Sequence, residues 1–462
     1  MHGVVTWSAA GSAVAITSVA VALSGCGGSS GANRPHAARS STTAGTLSSG
    51  TGGTEGYTSA APVTAAGPLA RLTVNDPGVQ TGLRLLRSEL SAGEAAAAWA
   101  TEGVTPEQAK DLLARLPLTG TYAPGTHQAT IVDAYGRSTD ITVIVPAGPA
   151  PATGFPVLLF LHGLGGSSSN VSGVAQLATG AIVVAPTAQK PPASVKFEDD
   201  APIPLLNAFP HWWVYRDHAF AMRALDWVRE RFELDPDRVV LNGVSMGGFG
   251  AFNVGLRFHD RFAGLAVGAG GISRLEFALG RDANTRSLLQ NAAMLPTWFA
   301  HGDQDQIVPV SFSRWTAQDL TALGIPHTYK ELAGAGHDKA AFAAIFPELA
   351  TWAQARVRDP SPSTVTHRAI GDYHLGAYWV ELQGPGALSA SAGGSTITVK
   401  TSGPGATVFL DPALVDVSAP VTVTVNGNTV QQGVVSSSLT AVARSFARTR
   451  DPKLTYCHMV GN

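Results

Sequence analysis

A serine stands between two glycines in Gly243-Val244-Ser245-Met246-Gly247, after a strand expected at 239–242 and before a helix-forming stretch at 248–257. In that setting the pentapeptide reads as a strand-turn-helix elbow, which lifts the Ser245 hydroxyl clear of a sheet. A hydroxyl attacks a carbonyl carbon only when a base takes its proton and an acid orients the base. Both partner types follow downstream. His301-Gly302-Asp303-Gln304-Asp305-Gln306-Ile307-Val308-Pro309 comes after an apolar run at 297–300, and Gly334-Ala335-Gly336-His337 comes after a strand expected at 328–332. Each lies in a loop just past a strand, where open α/β sheets place their ligands. His337 is the candidate base; Asp305 and Asp303 are the candidate acids. Upstream, Phe160-Leu161-His162-Gly163-Leu164-Gly165-Gly166 also follows an apolar run, and its glycines free backbone N–H groups to turn toward a developing oxyanion. The chemistry these residues suggest is acyl transfer through Ser245. No Cys/His cluster has zinc-ligand spacing, and no metal or cofactor is expected.

The elements that must position these loops are visible as a change of period along the chain. Continuous apolar runs at 157–161, 182–185, 239–241, 262–267 and 297–300 are spaced by helical stretches. One of these, at 217–232, places Met222, Leu225, Val228 and Phe232 on one side. Strands apolar on both faces and separated by helices predict an α/β fold with a doubly wound, mostly parallel sheet. Two alternating strands at 127–133 and 139–145, joined by a turn, precede it as a hairpin.

Segments on either side read differently. Thr105-Pro106-Glu107-Gln108 is a helix start, and Leu112, Leu113 and Leu116 form that helix's apolar face. Residues 69–124 are therefore expected to be a helical cap packed on the next domain. Beyond Asp359-Pro360-Ser361-Pro362, short alternating strands at 377–382, 396–400, 406–410, 421–425 and 429–435 indicate a separate β unit, a small sandwich. Asn426-Gly427 is a two-residue hairpin signal. Tyr378 and Trp379, adjacent on the first of these strands, are expected to face opposite ways and to pack in the core or between domains.

Composition narrows the partners. The 462 residues hold 31 Lys+Arg against 33 Asp+Glu, a net charge of −2, with 14% charged and 45% hydrophobic residues. That excludes a charge-rich disordered chain and disfavours a nucleic-acid partner. The first 25 residues carry an apolar run at 9–23, the length of a signal h-region. Residues 27–68 are Gly, Ser, Thr and Ala with few large apolar groups, the composition of a flexible tether. The remaining thiol, Cys457, is expected to be an unpaired, partly buried residue.

Two resemblances sharpen this. Leu23-Ser24-Gly25-Cys26 resembles the lipobox of bacterial lipoproteins, in which cleavage before the cysteine leaves it to carry lipid, although residues 1–7 contain no Lys or Arg. It implies a cell-envelope protein held to the membrane only through Cys26; the alternative is a secreted one. Residues 125–357 resemble the α/β-hydrolase superfamily. Its pattern implies Ser245 as nucleophile, Asp305 as acid with Asp303 as rival, and His337 as base. The main-chain N–H groups of Leu164 and Met246 become the oxyanion donors, and His162 and His301 become loop braces. Val244-Ser245-Met246-Gly247-Gly248-Phe249-Gly250 looks like the secreted feruloyl esterase, polyhydroxyalkanoate depolymerase and esterase D group. Most of residues 365–455, with Ala377-Tyr378-Trp379-Val380-Glu381, resembles the C-terminal module of bacterial proteins labelled predicted peptidases or depolymerase-like esterases. Hydrolysis of small or polymeric carboxylic esters is the implied activity, with a prolyl oligopeptidase-like serine peptidase as the alternative. The aromatic stretch Phe209-Pro210-His211-Trp212-Trp213 could wall the substrate pocket through Trp212 and Trp213, or pack as core. The implied organisation is a signal peptide at 1–25, a tether at 26–68, the cap at 69–124, the catalytic domain at 125–358 and the β module at 363–462.

Overall fold

The computed structural model describes residues 70–132, 136–190, 212, 220–272, 285–338, 342–372 and 374–461. The expected signal, Cys26 and the tether lie outside these residues, as does Trp213.

An eight-stranded sheet forms the centre, in the order β1-β2-β4-β3-β5-β6-β7-β8. The strands are β1 (Gly125–Val132), β2 (Ser138–Val145), β3 (Phe155–Leu161), β4 (Ile182–Pro186), β5 (Leu234–Val244), β6 (Gly264–Gly268), β7 (Thr297–Gly302) and β8 (His327–Leu332). β1 and β2 pair antiparallel, and β2 meets β4 antiparallel. From β4 to β8 every pairing is parallel. The reason is legible in β3. Val157, Leu159 and Leu161 enter one apolar cluster, while Leu158 and Phe160 enter another on the opposite face. Burying both faces requires helices on both.

Helices α4 (Phe220–Arg229) and α5 (Met246–Arg257) supply Leu225, Val228, Phe252 and Val254 to the first cluster, and α7 (Phe346–Gln354) supplies Leu349 and Ala353 to the second. α6 (Ser311–Ala322) adds Leu320 to the first. The register aligns the strand ends: Leu161 pairs Gly243, Val244 pairs Gly268, and Gly268 pairs Ala300. The loops after β3, β5, β7 and β8 therefore open along one edge. The chain runs from β3 outward to β4 and back across to β5, so the crevice between the ends of β3 and β5 is a topological switch point.

The C-terminal part is a β-sandwich, with one addition. A four-stranded sheet, β10 (Gly376–Ala377), β11 (Val380–Leu382), β14 (Ala406–Leu410) and β17 (His458–Val460), faces a five-stranded one. The latter contains β9 (Thr364–Ala369), β12 (Gly386–Gly393), β13 (Thr396–Thr401), β15 (Val421–Val425) and β16 (Asn428–Gly433). Val380, Val408 and Phe409 of one meet Val365, Ile397, Val399 and Val423 of the other in a shared core. Asn426 and Gly427 take φ 51° and 82°, the left-handed pair that a tight hairpin needs.

The expected continuous strand at 377–382 is instead a hairpin. Tyr378, at φ 51°, and Trp379 form its turn, because Ala377 pairs with Val380. Both rings are buried in the module core rather than divided between two faces. The Trp379 indole N–H donates to Pro362 O at 2.8 Å.

The N-terminal helices also find a partner other than the one expected. α1 (Val79–Leu86), α2 (Ala92–Thr101) and α3 (Pro106–Ala114) form one core with α8 (Leu439–Thr449), a helix that the alternating strand pattern gave no sign of. Val79, Leu83, Trp99 and Leu112 pack with Val442, Ala443 and Phe446. Cys457 is buried in the same core as a free thiol, 3.7 Å from Pro106 O. Contact with the central domain is both polar and aromatic: Arg71 Nε donates to Glu233 at 2.6 Å, the Thr119 N–H donates to Glu230 O at 2.8 Å, and the Tyr122 ring meets Trp227 and Phe232 at 5.5 and 5.3 Å between centroids. The capping box expected at Thr105 and Gln108 is formed at the start of α3.

A buried ionic seam joins the sandwich and α8 to the central domain. Arg358 reaches Asp237 at 2.7 Å, Asp451 at 2.8 Å and Asp260 O at 2.6 Å. Arg448 of α8 meets Asp260 at 3.0 Å, and Asp260 also accepts the Tyr378 N–H at 3.1 Å. Burial pushes the Asp451 carboxyl up, but the Arg358 and Arg229 guanidiniums bring it below its usual range.

Candidate active site

The turn between β5 and α5 is as tight as the pentapeptide requires. Ser245 sits at φ 57°, ψ −124°, a backbone conformation that L side chains rarely adopt and that surrounding structure must impose. A Cβ on Gly243 would overlap the Gly247 backbone, and one on Gly247 would overlap the Leu161 carbonyl of β3. The Ser245 N–H is tied to Gly268 O at 2.9 Å. The serine is thus held off the sheet, at the N-terminal end of α5.

The loops after β7 and β8 bring two further side chains to it. His337 Nε2 lies 3.0 Å from Ser245 Oγ, and His337 Nδ1 lies 2.6 Å from Asp305 Oδ2. A carboxylate only accepts, so the Nδ1 proton donates to Asp305 and Nε2 is left to receive the serine proton. The imidazole is 18% exposed; the Asp305 side chain is fully buried. Asp305 Oδ1 accepts the Ile307 and Val308 N–H groups, each at 2.8 Å. Burial pushes its carboxyl up, but hydrogen bonds from His301, His337 and the Val308 N–H hold it well below the usual carboxylate range. Asp303 does not join this array. Its Oδ1 accepts the Gly334 N–H at 2.7 Å and so shapes the loop that carries His337.

The loop after β3 passes beside Ser245. A Cβ on Gly163 would stand 3.3 Å from Ser245 Cβ and 3.8 Å from its Oγ. Leu164 is the next residue, and Met246 is the first of α5, among the N-terminal N–H groups that a helix leaves without internal acceptors. His162 braces this loop: Nδ1 donates to Gly163 O at 2.7 Å, and Nε2 accepts the Ala188 N–H at 3.0 Å. Burial lowers its affinity for a second proton.

Trp212 is part of that brace, not of a pocket wall. Its indole N–H donates to His162 O at 2.9 Å, and its ring meets the imidazole edge-on at 5.0 Å between centroids. It is 5% exposed and so close to Gly250 of α5 that a Cβ there would overlap its own. An indole buried against a helix glycine has no face left for substrate. A cavity of about 330 Å3 lies away from Ser245, between the N-terminal helices, α4 and α8, lined by Leu113, Phe232, Phe446 and Arg450 among others.

His301 is tied more closely to the acid than a loop brace need be. It is fully buried; Nδ1 lies 2.7 Å from Ser313 Oγ, and Nε2 lies 2.9 Å from Val308 O and 3.2 Å from Asp305 Oδ2. Ser313, on α6, carries no sequence signal, since a lone serine early in a helix belongs to no motif. No group of three or more metal-ligating side chains occurs among the described residues.

Residues 133–352 match the family model described as "Putative esterase". Over 106 residues the chain is 28% identical to lysophospholipase-like protein 1 of Mus musculus, covering 23% of this chain and 42% of that protein. It therefore spans less than half the length of that curated relative. Among solved structures, a thermostable esterase aligns at 20% identity and a TM-score of 0.38, over 50% of this chain and 63% of that one. A ferulic acid esterase from Anaeromyces mucronatus, solved with ferulic acid, aligns at 18% identity and a TM-score of 0.36, over 52% and 93%.

Proposed function

We propose that the chain is a serine hydrolase that cleaves carboxylic esters through Ser245, His337 and Asp305, a reading that the match of residues 133–352 to the esterase family model supports. The observation that carries this reading is the unbroken hydrogen-bond chain from Ser245 Oγ through both nitrogens of His337 to Asp305. Ser245 Oγ attacks the ester carbonyl as His337 Nε2 takes its proton, and Asp305 stabilises the resulting imidazolium. The oxygen of the tetrahedral intermediate is received by the N–H groups of Leu164, in the loop after β3, and of Met246, the first residue of α5. His337 then returns the proton to the departing alcohol. Water, deprotonated in turn by His337, releases the acid from the acyl-enzyme.

Turnover of p-nitrophenyl acetate and butyrate, feruloyl esters and peptide anilides by residues 27–462 tests the reading. Ester turnover that vanishes in Ser245→Ala is the expected result. Absence of ester turnover, or faster anilide than ester cleavage, overturns it.

A second part of the proposal concerns location. Leu23-Ser24-Gly25-Cys26 supports export and lipidation at Cys26. No helix among the described residues is long and apolar enough to cross a membrane. Lipid labelling of the full chain should disappear in Cys26→Ser; labelling that persists sinks the assignment.

A further inference from the structure

Both nitrogens of the buried His301 ring face acceptors. Nε2 points at Val308 O, 2.9 Å away, and at Asp305 Oδ2, 3.2 Å away. Neither oxygen can donate, so this nitrogen carries a proton. Nδ1 lies 2.7 Å from Ser313 Oγ, whose single proton is committed elsewhere: that hydroxyl donates to Gly270 O at 2.6 Å. Were the hydroxyl turned toward His301, the Ser313 and Gly270 oxygens would face each other at 2.6 Å with no proton between them. Nδ1 therefore donates as well. A ring that donates from both nitrogens is an imidazolium.

We propose that His301 is a standing cation, a positioning residue that pairs with the Asp305 carboxylate on the oxygen shared with His337. The inference rests on the catalytic reading above, and it makes the resting acid an ion pair rather than a lone carboxylate. When His337 takes the serine proton, a second positive charge arrives at that same oxygen, and like charges this close oppose each other.

Other charged groups near the ring do not replace this pairing. Glu331 is the cross-strand neighbour of His301 on β8, but its carboxylate is engaged by Arg314 at 2.8 and 2.6 Å. Asp303, on the same loop, is turned to Gly334.

The test has a readout that needs no turnover. In 15N-histidine-labelled full chain between pH 6 and 9, His301 should show hydrogen on both ring nitrogens, while His337 shows it on one. The signals are assigned by their loss in His301→Gln, or by their displacement in Ser313→Ala where the glutamine variant fails to fold. A His301 ring with one bare nitrogen overturns the proposal, whatever the enzyme cleaves. Failure of the catalytic reading would look different: no ester turnover by the wild type at any pH.

Discussion

His337 Nε2 stands 3.0 Å from Ser245 Oγ, a separation at which the hydroxyl proton can pass to the ring without either side chain moving. Ser245 is held by backbone, not by packing of its side chain, and alanine at 245 would carry the same φ of 57°. Ser245→Ala should therefore fold and melt like the wild type. Its ester kcat should fall by about 10^5- to 10^6-fold with KM little changed. Retention of more than about a thousandth of wild-type kcat would rule out Ser245 as the nucleophile.

The two aspartates of the loop after β7 separate cleanly by what they touch. Asp305 orients His337 through Oδ2, so Asp305→Asn presents an amide and the wrong tautomer follows; kcat should drop by about 10^4-fold. Asp303 accepts only a backbone N–H in the described structure, and an asparagine Oδ1 can accept it equally well. Asp303→Asn should cost less than about ten-fold. Steady-state kinetics of the two single variants decides between them, and a reversed order would reassign the acid.

Much of this site was legible because each of its parts is written locally. Gly243 and Gly247 are dictated by a turn in which any side chain overlaps backbone, and the alternation of buried runs with helices marks the strand ends that carry the loops. The less legible parts are long-range. The bond from Trp212 to His162 spans 50 residues and that from Ser313 to Gly270 spans 43, so neither leaves a pattern in a window of sequence. The same holds for the N-terminal helices. Their apolar faces could be read from Leu112 and Leu113, but not that the surface receiving them is α8, more than 300 residues away. Tyr378 and Trp379 were misleading for the opposite reason: aromatic residues in an alternating run look like strand, yet here they occupy a turn buried by its surroundings.

The contact between the central domain and the sandwich should be sensitive to acid. His259 Nε2 lies 3.0 Å from His367 Nδ1, and His367 Nε2 lies 2.7 Å from His374 O. Burial, with the neighbouring His367, pushes His259 down to about 3, and burial pushes His367 down to about 4; His374 is lowered by the same cause. Asp260, Arg448 and Arg257 are the charges around them. Above about pH 6.5 these rings are neutral in both folded and unfolded chains and contribute no pH dependence. Below it the unfolded chain takes up protons that the folded one excludes, so stability falls as pH drops from about 6.5 toward 4. The slope is about 1.4 kcal/mol per pH unit for each histidine involved. Urea midpoints measured from pH 7.5 to 4.5 should decline accordingly, and His259→Gln should flatten the decline. A wild-type midpoint that is flat over this range would contradict the sign.

Arg358 offers the severest test of what holds the sandwich to the central domain. Its guanidinium is almost wholly buried, and it is held by Asp237 and Asp451, both also buried. Replacing the arginine alone leaves two carboxylates out of water with less countercharge, and breaking a buried pair in this way typically costs about 3–5 kcal/mol. Arg358→Met should therefore lower stability by that amount in urea unfolding. Adding Asp451→Asn, which removes one stranded charge, should restore part of it, because the penalty comes from the uncompensated carboxylate rather than from lost packing. At low urea, where the single variant is still folded, its ester kcat should match the wild type, since the seam does not touch Ser245, His337 or Asp305. A double variant less stable than the single one would show instead that the guanidinium's packing, and not its charge, carries the junction.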